Sequence, residues 1–139
     1  MNSRSTSLAW AVDAACSGNP GPMEYRGVDL ATGQQVFHFG PIRGTNNIGE
    51  FLAIVHALAL LDKFGITMPV YSDSWNALRW VRARHCRSSL ERNESTEEVW
   101  QLIHRAENWL REHDFSRIPL IKWETRKWGE VPADFGRKK

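Results

Sequence analysis

The chain has 139 residues, 42% hydrophobic and 24% charged, and its 18 basic and 16 acidic side chains leave a formal charge of +2. These values fit one globular domain over 1–139 and exclude a disordered chain or a fibrous repeat. Cys16 and Cys86 make no disulfide framework. No stretch approaches the roughly 20 apolar residues of a membrane span, and the polar opening MNSRSTS carries no secretory pattern, so a cytoplasmic protein without membrane attachment is expected.

Leu8 to Cys16 (LAWAVDAAC) is almost wholly apolar, as in a strand buried on both faces. SGNPGP follows as a turn cluster. Tyr25–Ala31 and Gln35–Phe39 read as hairpin strands joined through Thr32-Gly33. After GTNN, the apolar positions 51, 54, 55, 58 and 61 predict a helix over Ile48–Phe64, stopped by Gly65. Pro69–Asp73 reads as a short strand and Trp75 to about Arg84 as a helix. Ser95-Thr96-Glu97-Glu98 opens a helix running to about His113, with Val99, Leu102, Ile103, Ala106 and Leu110 on its core side. Pro119–Glu124 is a final strand, TRKWGE a loop, and Val131–Lys138 a terminal helix. An antiparallel opening followed by strand–helix alternation predicts one mixed sheet flanked by helices on both faces.

Charge is uneven along the chain. Arg79 to Arg92 holds five arginines and one acid, and Arg117 to Lys139 holds seven basic residues and three acids. Such clusters suit either a surface facing a polyanion or a solvated helix face. Trp10, Trp100, Trp109 and Trp123 sit in strand or helix-core contexts, whereas Trp75, Trp80 and Trp128 lie near basic residues. His38 and His56 have no metal-ligand spacing and read as structural.

Four acids stand apart. Asp13 lies inside the apolar first strand, where no helix cap is available and an ionised carboxylate is costly unless neutralised. Glu50, Asp73 and Asp134 each have a local explanation as well: Asn47-x-x-Glu50 has the form of a capping box, Asp73 or Ser72 can cap the next helix, and Asp134 suits a helix start. Strand C-terminal ends and helix N-terminal ends share one side of an α/β sheet, so the four can converge. Oxygen ligands alone suit Mg²⁺ or Mn²⁺, and two such ions about 4 Å apart can activate water at a phosphodiester.

Four ordered motifs carry a resemblance. Asp13-Ala-Ala-Cys-Ser-Gly18-Asn19-Pro20-Gly21-Pro22, Thr45-Asn46-Asn47-Ile-Gly-Glu50, Tyr71-Ser72-Asp73-Ser74, and Trp123 followed by a loop and Ala133-Asp134 resemble the type 1 ribonuclease H family in order, from about residue 8 to 137. The resemblance implies a single RNase H-like catalytic domain: a five-stranded mixed sheet, antiparallel in its first three strands and parallel thereafter, with no hybrid-binding domain. It implies a monomeric, metal-dependent endoribonuclease cutting the RNA strand of RNA/DNA hybrids and leaving 3′-hydroxyl and 5′-phosphate ends. Asp13, Glu50, Asp73 and Asp134 would hold two Mg²⁺ ions, for which Mn²⁺ can substitute. Gly18, Asn19, Asn46 and Asn47 would line the minor groove of the hybrid, and Thr45 would touch a DNA phosphate.

The chain departs from the family pattern at three places. Met23-Glu24 follow GNPGP where a glycine pair is common. Trp75 stands where the family commonly has glutamine and would pack on a sugar. The Thr125–Val131 loop lacks the family's histidine; either Lys127 or Glu130 substitutes for it or the step is slower. Two other readings share these residues: a nuclease of the same fold acting on double-stranded RNA or DNA junctions, against which the TNN and GNP motifs argue, and a non-catalytic nucleic-acid-binding module, against which the four intact acids argue.

Overall fold

A computed structural model describes residues 8–134. Within it the chain forms β1 (Trp10–Cys16), β2 (Gly21–Asp29), β3 (Gln35–Gly44), α1 (Asn46–Phe64), β4 (Val70–Ser72), α2 (Trp75–Ala83), α3 (Glu97–Glu112), β5 (Leu120–Lys122) and α4 (Thr125–Trp128), with a 3₁₀ turn over Glu94–Thr96 before α3. The sheet order is β3-β2-β1-β4-β5. β1, β2 and β3 pair antiparallel; β1–β4 and β4–β5 pair parallel. This is the mixed sheet expected from the order of elements.

β1 is buried from Trp10 to Ala15, as its continuous apolar run requires. The hairpin strands run longer than the composition suggests. β2 begins at Gly21 and β3 continues through Pro41 to Gly44, with register shifts in their pairing between Met23 and Tyr25 and between Gly27 and Val28. A Cβ on Gly27 would lie 2.4 Å from the Phe37 ring, so only glycine admits that ring.

α1 is the central helix. Ile48–Val55, Ala57, Leu58 and Leu61 are all buried, because the helix meets β1, β2 and β4 along one side and α2 and α3 along others. Its boundaries are chemical. The Thr45 hydroxyl accepts the Ile48 N–H, and Gly65 ends the helix in the left-handed conformation at φ 67°. The cap is therefore Thr45 rather than Asn47, which lies inside the first turn. Similarly, Ser74 caps α2 by accepting the Ala77 N–H, so neither Asp73 nor Ser72 does. The predicted loop after β5 contains the single turn α4, too short for periodicity to mark. Residues 131–134 form a turn, and the rest of the expected terminal helix, 135–138, lies outside the described residues.

Val12 and Ala14 face the helical core, so Asp13 between them faces the opposite side of the sheet. Among the described residues, no helix is long and apolar enough to cross a membrane.

Candidate active site

β4 pairs with β1 only at Trp10↔Val70 and Ala11↔Tyr71. Carrying that register forward brings Asp73, just past the end of β4, level with Asp13 in the middle of β1. Asp13 therefore lies centrally in its own strand but beyond the end of its parallel neighbour. Glu50, one turn into α1, reaches the same place from the helical layer. Asp13, Glu50 and Asp73 each offer a carboxylate oxygen, and these oxygens lie within 4.8 Å of one another.

The electrostatics of this group are unfavourable by themselves. Asp13 is 1% exposed and Glu50 3%. Burial, and then the carboxylates of Asp13 and Asp73, push the Glu50 carboxyl well above the ordinary carboxylate range, with the Ala14 backbone N–H offsetting part of the effect. Glu50 Oε1 is buried without a hydrogen-bond partner. Three hard oxygen donors at close quarters, one of them with an unsatisfied buried oxygen, form a suitable seat for a divalent cation of the Mg²⁺ or Mn²⁺ type.

Asp134 is not a member of this three-residue group. Its backbone is nonetheless fixed. Arg26, directly opposite Asp13 in the β1–β2 ladder, donates through Nε to the Ala133 carbonyl and through Nη2 to the Asp134 carbonyl, both at 2.7 Å. Opposed residues of an antiparallel pair project to one face, so Arg26 ties the Asp134 segment to the face that carries Asp13. Val131 and Ala133 are buried alongside. Arg26 is absent from the sequence-level site because its role depends on a partner more than a hundred positions away; its place opposite Asp13 in the predicted hairpin is the available signal.

A groove of about 820 Å³ is lined by Asn19, Arg43, Thr45, Asn46, Asn47 and residues 87–91, and none of the four acids lines it. Asn19 Oδ1 accepts the Asn46 N–H at 2.9 Å, locking the turn after β1 to the start of α1. Gly18, at φ +98°, supplies the left-handed residue that this turn requires. Asn46 and Asn47 open the helix that carries Glu50 one turn later, so the groove and Glu50 share one element. Arg43, two residues before Thr45 at the end of β3, is a groove residue that the sequence reading missed.

The basic stretch divides. Arg82 donates to the Leu120 carbonyl, Arg84 to the Leu110 carbonyl, and Arg92 pairs with Glu97, whereas Arg87 lines the groove. Trp75 is 58% exposed at the start of α2, with Lys122 Nζ 5.6 Å from its ring, and is not a groove-lining residue. Trp80 does line the groove. Trp128 packs edge-on against Trp123 and Tyr71. Lys127 in α4 and Glu130 after it are exposed on the segment leading to Asp134. His56 stacks on Phe37 with ring centroids 4.2 Å apart and meets the Tyr25 hydroxyl at 2.9 Å, while His38 pairs with Glu24; both are structural partners in their own strands and helix.

Comparison with known proteins identifies the family. The family described as RNase H matches residues 5–119. The ribonuclease H of Saccharopolyspora erythraea is 31% identical over 119 residues, covering 81% of this chain and 72% of that protein. That of Neorickettsia sennetsu is 27% identical over 113 residues, covering 80% and 74%. Among solved structures, a ribonuclease H1 isolated from compost by a metagenomic approach aligns over 86% of this chain and 85% of its own, at 20% identity and a TM-score of 0.52, which speaks to the fold. A family match over most of the sequence, on a sheet of the same kind, places the chain in the RNase H family of nucleases.

Proposed function

We propose that the protein is an endoribonuclease that hydrolyses the RNA strand of RNA/DNA hybrids with two divalent metal ions. The reading is carried by one observation: Asp13, Glu50 and Asp73 bring carboxylate oxygens within 4.8 Å of one another, and Glu50 Oε1 is buried without a hydrogen-bond partner. Membership of the RNase H family and the ribonuclease H names of its relatives support the substrate.

In this reading Asp13, Glu50 and Asp73 hold the ions, with Asp134 completing the set. When bound, Mg²⁺, or Mn²⁺ in its place, supplies a Lewis acid for the phosphodiester and lowers the pKa of the attacking water. The reaction adds water to phosphorus and breaks the bond to the 3′ oxygen, leaving a 3′-hydroxyl and a 5′-phosphate. The chain's own task is recognition and alignment. Asn19, Asn46 and Asn47 present amide groups to a wide minor groove, where the 2′-hydroxyl distinguishes RNA from DNA. Gly18 lets the backbone approach, and Thr45, Arg43 and Arg87 face phosphates. Trp75 offers an apolar surface to a sugar, and Lys127 and Glu130 stand on the Asp134 segment to assist proton transfer or product release. Every residue invoked comes from one chain, so a monomer suffices. A cytoplasmic site of action completes the reading.

The test is cleavage of a labelled RNA/DNA hybrid beside double-stranded RNA, double-stranded DNA and single-stranded RNA, with Mg²⁺, Mn²⁺ or EDTA, for the protein and Asp13→Asn. The expected result is metal-dependent cutting of the hybrid's RNA strand only, lost in the variant. Cutting by Asp13→Asn at the rate of the unaltered protein overturns the metal assignment. Binding of hybrid without cutting under any metal replaces the enzyme with a binding module.

A further inference from the structure

Residues 84–93 join α2 to the turn before α3 without regular secondary structure, yet Arg87, Ser88, Ser89, Leu90 and Glu91 form a wall of the groove. A segment with few buried contacts ordinarily opens easily. This one is tied at both ends. At its far end the Thr96 hydroxyl donates to the Glu91 carbonyl at 2.7 Å, and Asn93 and Thr96 cap one another reciprocally.

At its near end three consecutive residues reach α3. Arg84 takes the left-handed conformation at φ 59°, unfavourable for a residue with a side chain. It donates to the Leu110 carbonyl at 3.0 Å and lies over the Phe115 ring at 4.9 Å. That turn aims the next two residues at Glu107. His85 Nδ1 is 2.9 Å from Glu107 Oε2, and the Cys86 N–H donates to the same oxygen at 2.8 Å. Arg111 Nη2 is 3.9 Å from the other oxygen. Glu107 is 7% exposed, and a carboxylate is buried at such cost only when its oxygens are engaged. Here the loop engages Oε2 through the Cys86 N–H and the His85 ring, and Arg111 faces Oε1. The Cys86 thiol is pushed up to about 12 by its burial in this joint, which leaves it inert. Glu107 is not a member of the Asp13, Glu50 and Asp73 group.

We infer that Glu107 is a positioning residue for nucleic-acid binding: it latches the start of the 86–92 loop to α3 and so holds Arg87 in the groove wall, facing a phosphate. This rests on the reading that the groove receives an RNA/DNA hybrid. Glu107 itself does not touch the substrate. Among the described residues, Arg87 has no ion-pair partner to restrain its guanidinium, so the anchoring of the loop backbone, at Glu107 on the near side and Thr96 on the far side, sets where the charge stands.

The experiment compares the protein with Glu107→Ala, Arg87→Ala, the double variant and Glu107→Gln. Glu107→Ala is expected to raise KM, and Kd for hybrid in metal-free buffer, about tenfold, the effect of reordering a loop on binding. Its kcat stays within about twofold. Its log–log salt slope becomes shallower by about one, as in Arg87→Ala. The double variant is expected to be no worse than the weaker single, because both remove the same contact. Glu107→Gln keeps an acceptor for Cys86 and recovers most of the loss. Amide exchange over 86–92 accelerates in Glu107→Ala whatever the substrate. Additive effects in the double variant, a loss of kcat at unchanged KM, or unchanged loop exchange each overturn the latch. Should Glu107→Ala not fold, Glu107→Gln with Kd and loop exchange both at the values of the unaltered protein overturns it instead. If the unaltered protein neither binds nor cuts hybrid while the loop still loosens in Glu107→Ala, the hybrid reading is what falls.

Discussion

Arg26 and Asp134 stand 108 positions apart in the chain, and Arg26 Nη2 donates to the Asp134 carbonyl at 2.7 Å. Arg26 also lies directly opposite Asp13 in the sheet. One side chain thus connects the strand paired with the one bearing the central acid to the backbone bearing the last one. A guanidinium fork suits this task because its donors are fixed relative to one another and two of them are used at once.

Arg26→Met is therefore expected to act through Asp134. It keeps an unbranched side chain in the strand but removes both donors. By analogy with losing an outer-shell partner of a metal ligand, kcat should fall about 10–100-fold. Hybrid Kd should change little, because the groove is built from other elements. Steady-state kinetics beside a binding titration makes the check. An unchanged kcat would show that the Asp134 segment reaches its place without Arg26.

The acid group should destabilise the metal-free fold. Glu50 is held far above its ordinary titration range by burial and two neighbouring carboxylates, and its Oε1 has no donor. In EDTA, Glu50→Gln should melt higher than the unaltered protein, since it removes repulsion without changing shape. Adding Mg²⁺ should raise Tm for the unaltered protein and much less for Glu50→Gln or Asp13→Asn. At a hundredfold excess over Kd the gain is about 2.7 kcal/mol. A Tm indifferent to Mg²⁺ or Mn²⁺ in the unaltered protein counts against the cation seat.

The acids are legible in the sequence to different degrees. Asp13 shows because nothing local explains a carboxylate in an apolar strand. Glu50 and Asp73 each have a local explanation, and the fold removes it: the caps are Thr45 and Ser74, whose hydroxyls precede their helices by one residue. Glu107 carries the same signal as Asp13. It lies four residues after Ile103 and three before Leu110, on the apolar side of α3, yet helical spacing alone does not reveal that the Cys86 N–H meets it from another element. Arg26 and Arg43 are ordinary strand residues until the hairpin is folded. Non-local partners are what one-dimensional patterning leaves out.

Gly49 couples packing to the site. A Cβ there would lie 2.8 Å from Ala14 Cβ and 2.9 Å from Met23 Sδ, both in the sheet beneath α1. Gly49→Ala should push the helix start off β1, at about 1–3 kcal/mol for an overpacked core. Glu50 is the next residue, so activity should fall more steeply than the stability loss alone accounts for. Thermal melts together with kcat at a temperature where the variant is fully folded separate the two effects. A variant with full kcat and reduced Tm confines the role of Gly49 to packing.

His56 gives the fold an acid limit away from the active site. It is partly buried in α1, stacked on Phe37 and in contact with the Tyr25 hydroxyl. Burial lowers its pKa below the ordinary histidine value of 6.5. A lowered folded-state value means that the unfolded chain takes up the proton first as pH falls. Stability is therefore complete above about pH 6.5 and is lost as pH drops from there through the folded-state pKa. His56→Gln removes the titration and also the stacked ring. It should lower Tm at pH 7.5 and narrow the drop in Tm between pH 7.5 and 5.5. Equal drops in the two proteins would place the acid sensitivity elsewhere.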